Sequence, residues 1–278
     1  MKLLRCGKKG REKPAVLDKN GKIRDVSTYV ADFDTINLNF ETLAKLQKTD
    51  LESLPEIQKG TRIGSCIHKP GKFVAIGLNY SDHAAETGAK PPSEPIVFMK
   101  ATSCIIGPND DVIIPKNSKK TDWEVEIAFV IGKEVKYIDE KDSYKHILGY
   151  CIVNDISERE WQMEKMGQWI KGKSADSFGP IGPYLVTKEE IPDVQKLNLS
   201  LDLNNKRMQT GNTSKMIFSI SFILSYLSNF MSLQSGDIVT TGTPPGVGMG
   251  KKPPLYLKSG DEMHLSIDHL GNQHQKVR

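Results

Sequence analysis

The chain has 278 residues, 38% of them hydrophobic and 26% charged, which is enough apolar side chain for a sizeable core and excludes a disordered or low-complexity polypeptide. Its 38 Lys and Arg against 34 Asp and Glu leave a formal charge of +4, a mild excess that gives no argument for a nucleic-acid partner. Length alone allows one large domain or two unequal ones. The cysteines at 6, 66, 104 and 151 form no CxxC or Cys/His spacing, so neither a zinc finger nor a disulfide framework is expected. Residues 1–11 lack the apolar run of a secretory signal. The most apolar stretch, 216–227, is interrupted by Ser219, Ser221 and Ser225 and is too short to span a bilayer. The expectation is a soluble cytoplasmic protein with no membrane partner.

Along the chain, two weak strands flank a turn at Asp18-Lys19-Asn20-Gly21. A polar helix follows near 41–47, with Leu43 and Leu46 on one side. Lys69-Pro70-Gly71-Lys72 reads as a boundary between a small N-terminal subdomain (1–70) and a main domain (71–278). From Phe73 onward, short apolar runs alternate with Gly- and Pro-marked turns. Strands are predicted at 73–76, 96–99, 112–114, 125–131, 150–153, 199–203, 237–240 and 262–267. One long helix is predicted over 214–230, with apolar residues at 216, 217, 220, 223, 224 and 227. Many strands and few crossover helices argue against a doubly wound parallel sheet. They favour a β-rich α+β fold built as a sandwich, barrel or roll.

The Gly-rich stretch 241–252 fails as a phosphate loop, because Pro245 and Lys252 stand where that loop needs Gly and Ser or Thr. Lys251 breaks the dinucleotide fingerprint. His264, His269 and His274 recur every five residues, match no helical face, and are expected as exposed turn and strand positions. More informative is Asp122-Trp123-Glu124-Val125-Glu126-Ile127-Ala128. As a strand it places Glu124 and Glu126 on the face shared by Ala128 and Val130, about 7 Å apart along the chain. Both faces turn apolar toward Ile131, so burial on both sides is expected. Neighbouring buried carboxylates repel and are costly to desolvate unless protonated or met by a cation. Asp155, just after the apolar run 150–153, adds a third carboxylate at a strand end. Three carboxylates without Cys or His suit a hard divalent cation, Mg2+, Mn2+ or Ca2+, rather than Zn2+. The alternative is a solvated Glu-x-Glu face, with Asp155 capping a helix that starts near Ser157.

A second group is Asn79-Tyr80-Ser81-Asp82-His83, followed by Glu86 and Gly88. Ser81 or Asn79 can cap a short helix that Gly88 ends. His83 and Glu86 are three apart and share a face, and a carboxylate beside an imidazole makes it a better general base. A short helix between Gly and Pro hinges also suits a lid. The plainer alternative is an ordinary surface His–Glu pair.

Together these segments resemble the fumarylacetoacetate hydrolase family. The resemblance runs in order through 76–83, 122–126, Asn154-Asp155-Ile156-Ser157 with Arg159 and Gln162, and 171–174. It continues through Phe178-Gly179-Pro180-Ile181-Gly182-Pro183, 216–219, 236–239 and Thr241-Gly242-Thr243-Pro244. The resemblance implies a β-rich domain of mixed sheets rolled around the site, in a homodimer, with a divalent metal on Glu124, Glu126 and Asp155. It implies His83 and Glu86 as a dyad on a lid, Lys173 as an active-site lysine, and Gln162 and Arg159 as polar residues of the pocket. Thr243 is implied as a contact to the substrate carboxylate, and Asn79 and Tyr80 are carried over as substrate-binding positions. Without the resemblance, Arg159 and Lys173 read as surface charge and Thr243 as a tight turn. The N-terminal segment and the ending 243–254 resemble the branch containing 2,4-diketo-3-deoxy-L-fuconate hydrolase. Leu78 departs from acylpyruvases, which often carry Arg before Asn-Tyr.

The reaction implied is cleavage of a carbon–carbon bond in a small anionic 2,4-diketo acid, giving pyruvate and a carboxylic acid. His83 would activate water, and Lys173 and Gln162 would meet developing oxyanion charge. Rivals on the same scaffold are a metal-dependent oxaloacetate decarboxylase, a hydroxymuconate-type isomerase and a ureidoglycolate lyase. A rival of another class is an inactive ligand-binding homologue.

Overall fold

The run Val125–Ile131 has no charged residue after Glu126, and the fold buries all seven of its residues at the centre of a sheet. The computed structural model describes residues 1–82 and 90–278. Its strands are β1 (Lys2–Cys6), β2 (Lys13–Leu17), β3 (Ile23–Asp25), β4 (Phe73–Gly77), β5 (Ile96–Met99), β6 (Ile105–Ile106), β7 (Thr121–Asp122), β8 (Val125–Ile131) and β9 (Ile147–Asn154). They continue as β10 (Ser157–Glu158), β11 (Gly179–Pro180), β12 (Leu185–Thr187), β13 (Asn198–Leu203), β14 (Lys206–Asn212), β15 (Ile238–Thr240), β16 (Glu262–Ile267) and β17 (Gly271–Lys276). The helices used below are α1 (Phe40–Gln47), the single turn α2 (Ile170–Lys173) and α3 (Ile220–Ser228).

The main sheet has nine strands in the order β3-β2-β1-β12-β9-β8-β15-β4-β5. It is mixed: β8 runs antiparallel to both β9 and β15, while β15 and β4 are parallel. A four-stranded antiparallel sheet, β14-β13-β16-β17, packs against β8 and β9. The result is a strand-rich α+β fold with several sheets. No helix among the described residues is long and apolar enough to cross a membrane.

The first seventy residues supply β1, β2 and β3, and β1 pairs with β12, so these strands extend the main sheet. Leu3 and Val16 join the same core cluster as Phe129 and Ile152. α1 is capped by the Asn39 side chain on the Thr42 N–H and buries Leu43 and Leu46, the face expected from its spacing.

Three sequence expectations change. The apolar triplet 112–114 is not a strand: Val112 makes one bridge to Val277, and Ile113 is exposed. The helix expected over 214–230 is shorter, because Ser219 caps Phe222 N–H and starts α3 at Ile220, leaving Met216 and Ile217 in extended chain. Asp155 caps no helix at Ser157: β10 pairs with β7 there, and a short helical segment starts only at Glu160 with Arg159 in its cap position. The polar strands β14 and β17 lack an apolar run because they bury glutamines, namely Gln209 in β14 and Gln273 and Gln275 in β17.

Candidate active site

Four strand ends meet beside the N-terminal end of β8. Because β8 and β9 are antiparallel, with Val125 opposite Asn154, the start of one lies next to the end of the other. Asp155 N–H then donates to Glu124 O at 2.9 Å, which puts the Asp155 side chain beside Glu124. On the other flank, β15 ends at Thr240 and turns through Thr241, Gly242 and Thr243, while the parallel β4 ends at Gly77 and Leu78.

Glu124, Glu126 and Asp155 each offer a carboxylate oxygen, all within 4.8 Å of one another, and all three are buried. Glu124 is 6% exposed and Glu126 1%, so the solvated-face alternative fails. The Glu126 Oε2 accepts from Gly242 N–H at 3.0 Å. Gly242 has φ +93°, and an added Cβ would lie 2.9 Å from the Asn79 Cβ, so only glycine allows this approach.

Three cations stand around the carboxylates. Lys173 Nζ bridges Glu124 Oε2 and Asp155 Oδ2, both at 2.7 Å, and lies 5.1 Å from the centre of the Phe98 ring. Lys100 Nζ donates to the other Asp155 oxygen, Oδ1, at 2.5 Å. Arg159 donates from Nε to Asp122 Oδ2 at 2.8 Å and pairs through Nη1 with Glu124 Oε1 at 2.7 Å. Its Nη1 also donates to Gln162 Oε1 at 3.0 Å. The buried Nη2 of Arg159 has no partner among the described residues. Both Lys173 and Arg159 are buried, so neither is the surface charge that its residue type alone suggests. The short helix α2 brings Lys173 here because Gly172 lets it pack closely. An added Cβ at Gly172 would lie 2.4 Å from Glu158 O and 2.6 Å from Gln162 N.

The charges do not balance. Were Asp122, Glu124, Glu126 and Asp155 all ionised against Lys100, Arg159 and Lys173, one negative charge would be left over. Its effect is visible at Glu126: burial, then the nearby Asp155 and Glu124 charges, hold its carboxyl well above the usual range. Burial opposes ionisation of Glu124 as well, but Lys173 and Arg159 outweigh it and hold that carboxyl low. Burial would lower Lys173, yet Asp155 and Glu124 raise it and keep the ammonium charged. A hard cation fits these residues, because the donors are all carboxylate oxygens and the site lacks positive charge.

Glu124, Glu126, Arg159, Gln162 and Lys173 line the polar side of a cavity of about 280 Å³, whereas Asp155, Lys100 and Asp122 do not reach its wall. Ile76, Leu78, Phe98, Met163, Trp169 and Met249 form its apolar wall. Asp122 holds Met249 in place by accepting from the Gly248 and Met249 N–H groups at 2.7 and 3.0 Å. Leu78 sits at φ +52°, a left-handed conformation for a residue with a Cβ, at the cavity edge.

The expected residues fall into three sets. Glu124, Glu126, Asp155, Lys173, Arg159, Gln162 and Thr243 come together. Thr243 lines the cavity, although its hydroxyl already donates to Val125 O and accepts from Gln209 Nε2. Asn79 and Tyr80 are buried behind the wall and do not line the cavity. The Asn79 amide donates to Phe218 O and Thr241 O and accepts from Phe218 N–H, which clamps the end of β4 to the chain before α3. The Tyr80 hydroxyl is buried without a partner among the described residues, with its pKa raised by burial and then by Glu126. His83 and Glu86 lie outside the described residues.

Lys100, Asp122, Trp169 and Met249 were not expected at the site. A lone Lys directly after the apolar run 96–99 was the one available signal for Lys100. Nothing local marks the others.

The family model described as the C-terminal domain of fumarylacetoacetate (FAA) hydrolase matches residues 72–278. The chain belongs to the fumarylacetoacetate hydrolase family. It is 54% identical, over its full length and 99% of the relative, to a chain of Burkholderia ambifaria named as a hydrolase with no substrate stated. Among solved structures it matches a fumarylacetoacetate hydrolase from the psychrophile Exiguobacterium antarcticum, with TM-score 0.89 and 32% identity over all of this chain and 99% of that one. It also matches a maleylpyruvate hydrolase from Sphingobium sp. SYK-6, solved with manganese(II) and pyruvate, with TM-score 0.84 and 25% identity over all of this chain and 98% of that one. The strand-rich fold and membership of this enzyme family follow from these matches.

Proposed function

We propose that this family member is a divalent-cation-dependent hydrolase that cleaves a carbon–carbon bond in 2,4-diketo acids, releasing pyruvate and a carboxylic acid. The observation that carries this reading is the buried group of three converging carboxylates at the cavity, one more acidic group than the surrounding cations can match when all are ionised. Glu124, Glu126 and Asp155 would hold Mg2+ or Mn2+. When bound, the ion supplies Lewis-acid polarisation for the 2-oxo carboxylate end of the substrate. With Glu126 ionised as a ligand, a divalent ion would leave the four carboxylates and three cations with one positive charge in excess, which a substrate carboxylate would neutralise. The manganese and pyruvate in the Sphingobium enzyme support the same pairing of ion and keto acid.

The chain's own residues would do the rest. Arg159 borders the cavity, and its buried Nη2, without a partner among the described residues, would donate to a substrate oxygen after a small shift of the side chain. Lys173 and the Gln162 amide border the same space and can meet negative charge that develops on oxygen. His83, oriented by Glu86, would take a proton from water as the hydroxyl adds to C4. The bond between C3 and C4 then breaks and C3 takes up a proton, so one water is consumed. The apolar wall formed by Phe98, Trp169, Met163 and Met249 suits an acyl tail better than the hydroxylated tail of a diketo-deoxy sugar acid.

A turnover assay on acylpyruvates, diketo-deoxy sugar acids and oxaloacetate tests the reading. It is run with Mg2+ or Mn2+, with and without chelator, and scores pyruvate against CO2. Pyruvate release from an acylpyruvate that stops on chelation and is absent in Glu126→Gln is the expected result. Chelator-resistant turnover would remove the ion, and CO2 from oxaloacetate without diketo-acid cleavage would replace the hydrolase by a decarboxylase.

A further inference from the structure

The active site leaves one group of chemically active side chains unexplained, on the outer face of the four-stranded sheet. In the β16–β17 pair, His264 lies directly opposite His274, and Glu262 opposite Lys276. Alternation puts Glu262 and His264 on one face of β16, and cross-strand pairing puts His274 on that same face. Met263 and Leu265, between and beyond them, point into the core. The two imidazoles stack with centroids 4.0 Å apart and planes at 12°. His274 Nε2 lies 3.3 Å from Glu262 Oε2, while Lys276 Nζ approaches only the other oxygen, Oε1, at 3.3 Å. Donor atoms of all three residues lie within 4.8 Å of one another.

Metal ligands at about 2.1 Å in a tetrahedron stand about 3.4 Å apart. The Glu262–His274 spacing already matches one such edge. The in-plane lone pairs of the stacked rings run nearly parallel, so binding requires the stack to open, and His264 is exposed and His274 half-buried, which leaves room for that side-chain rotation. We propose that Glu262, His264 and His274 form a surface site for Zn2+, with a water in the fourth position. Two imidazole nitrogens with a single carboxylate match this borderline ion, whereas the all-carboxylate group in the cavity matches harder ones. The site ties β16 to β17, so an ion bound there stabilises the C-terminal hairpin by mass action. It stands independently of the reaction assigned to the cavity.

Calorimetric titration of Zn2+ into the full chain tests this, alongside thermal melts with and without the ion. The expected result is a zinc-binding event, with a rise in melting temperature, that Glu126→Gln retains. His264→Asn and His274→Asn should each weaken it by about tenfold or more, since even second-shell changes at metal sites cost about that much. Zinc binding that survives both histidine substitutions, or that vanishes in Glu126→Gln while they leave it intact, overturns the proposal. The histidine ring resonances of the unsubstituted chain give a second measurement that needs no variant to fold. Zinc should perturb His264 and His274, and unperturbed rings at saturating ion would sink the site.

Discussion

Among the described residues two groups suit a cation, and they differ above all in burial. Glu124, Glu126 and Asp155 lie at strand ends inside the main sheet, whereas Glu262, His264 and His274 lie on the outside of the four-stranded sheet. Inside, each charge changes its neighbours: Glu124 is held low by two cations while Glu126, two residues away, is pushed high. Outside, Glu262 is lowered by its hydrogen bonds to Lys276 and His274, and solvent screens its charge. A carboxylate is therefore tightly coupled to its neighbours in one place and nearly independent of them in the other. Burial makes the inner set interdependent, and that interdependence suits it to hold an ion against an anionic substrate.

The sharpest way to break the comparison is Lys100→Met. Asp155 is fully buried and keeps only Lys173 as a partner in that variant. Breaking a buried ion pair costs about 3–5 kcal/mol, so urea denaturation should show a loss of that order. Unchanged stability would mean that water already reaches Asp155. Next in size is Asn79→Ala, which leaves the buried carbonyl of Thr241 and the N–H of Phe218 without their partner. A loss of about 1–3 kcal/mol is expected in the same experiment. If the damage instead appears as a raised KM with stability intact, Asn79 does contact substrate. Trp169→Ala tests the apolar wall: preference for a long-chain acylpyruvate over acetylpyruvate, measured as a ratio of kcat/KM, should fall by about tenfold. Smallest is Glu262→Gln, which should leave the zinc-free melting temperature where it is and alter only the response to zinc.

Much of the site was legible along the chain because its key residues break a local pattern. Glu124 and Glu126 interrupt a strand that is otherwise apolar on both faces, and Asp155 ends the next such strand. Antiparallel pairing then brings these ends together with no further information. The polar strands β14 and β17 were hidden for the converse reason. Their buried residues are glutamines satisfied by distant partners: Gln273 donates to Ile152 O and Gly182 O, and Gln275 donates to Pro108 O. No local pattern distinguishes such a strand from a loop.

The sequence by itself determined the strand-rich class, the central strand and the three carboxylates at its edge, because alternation and burial act on neighbouring residues. The mild net charge of the whole chain carried none of that. Only the tertiary structure decided that Lys100 and Lys173 grip opposite oxygens of Asp155, and that one Arg159 nitrogen has no partner among the described residues. It also withdrew Asn79 from the cavity to serve as a clamp and aligned His264 with His274. Those outcomes depend on contacts between segments tens of residues apart, where side-chain charge and hydrogen-bonding capacity find partners that spacing along the chain does not encode.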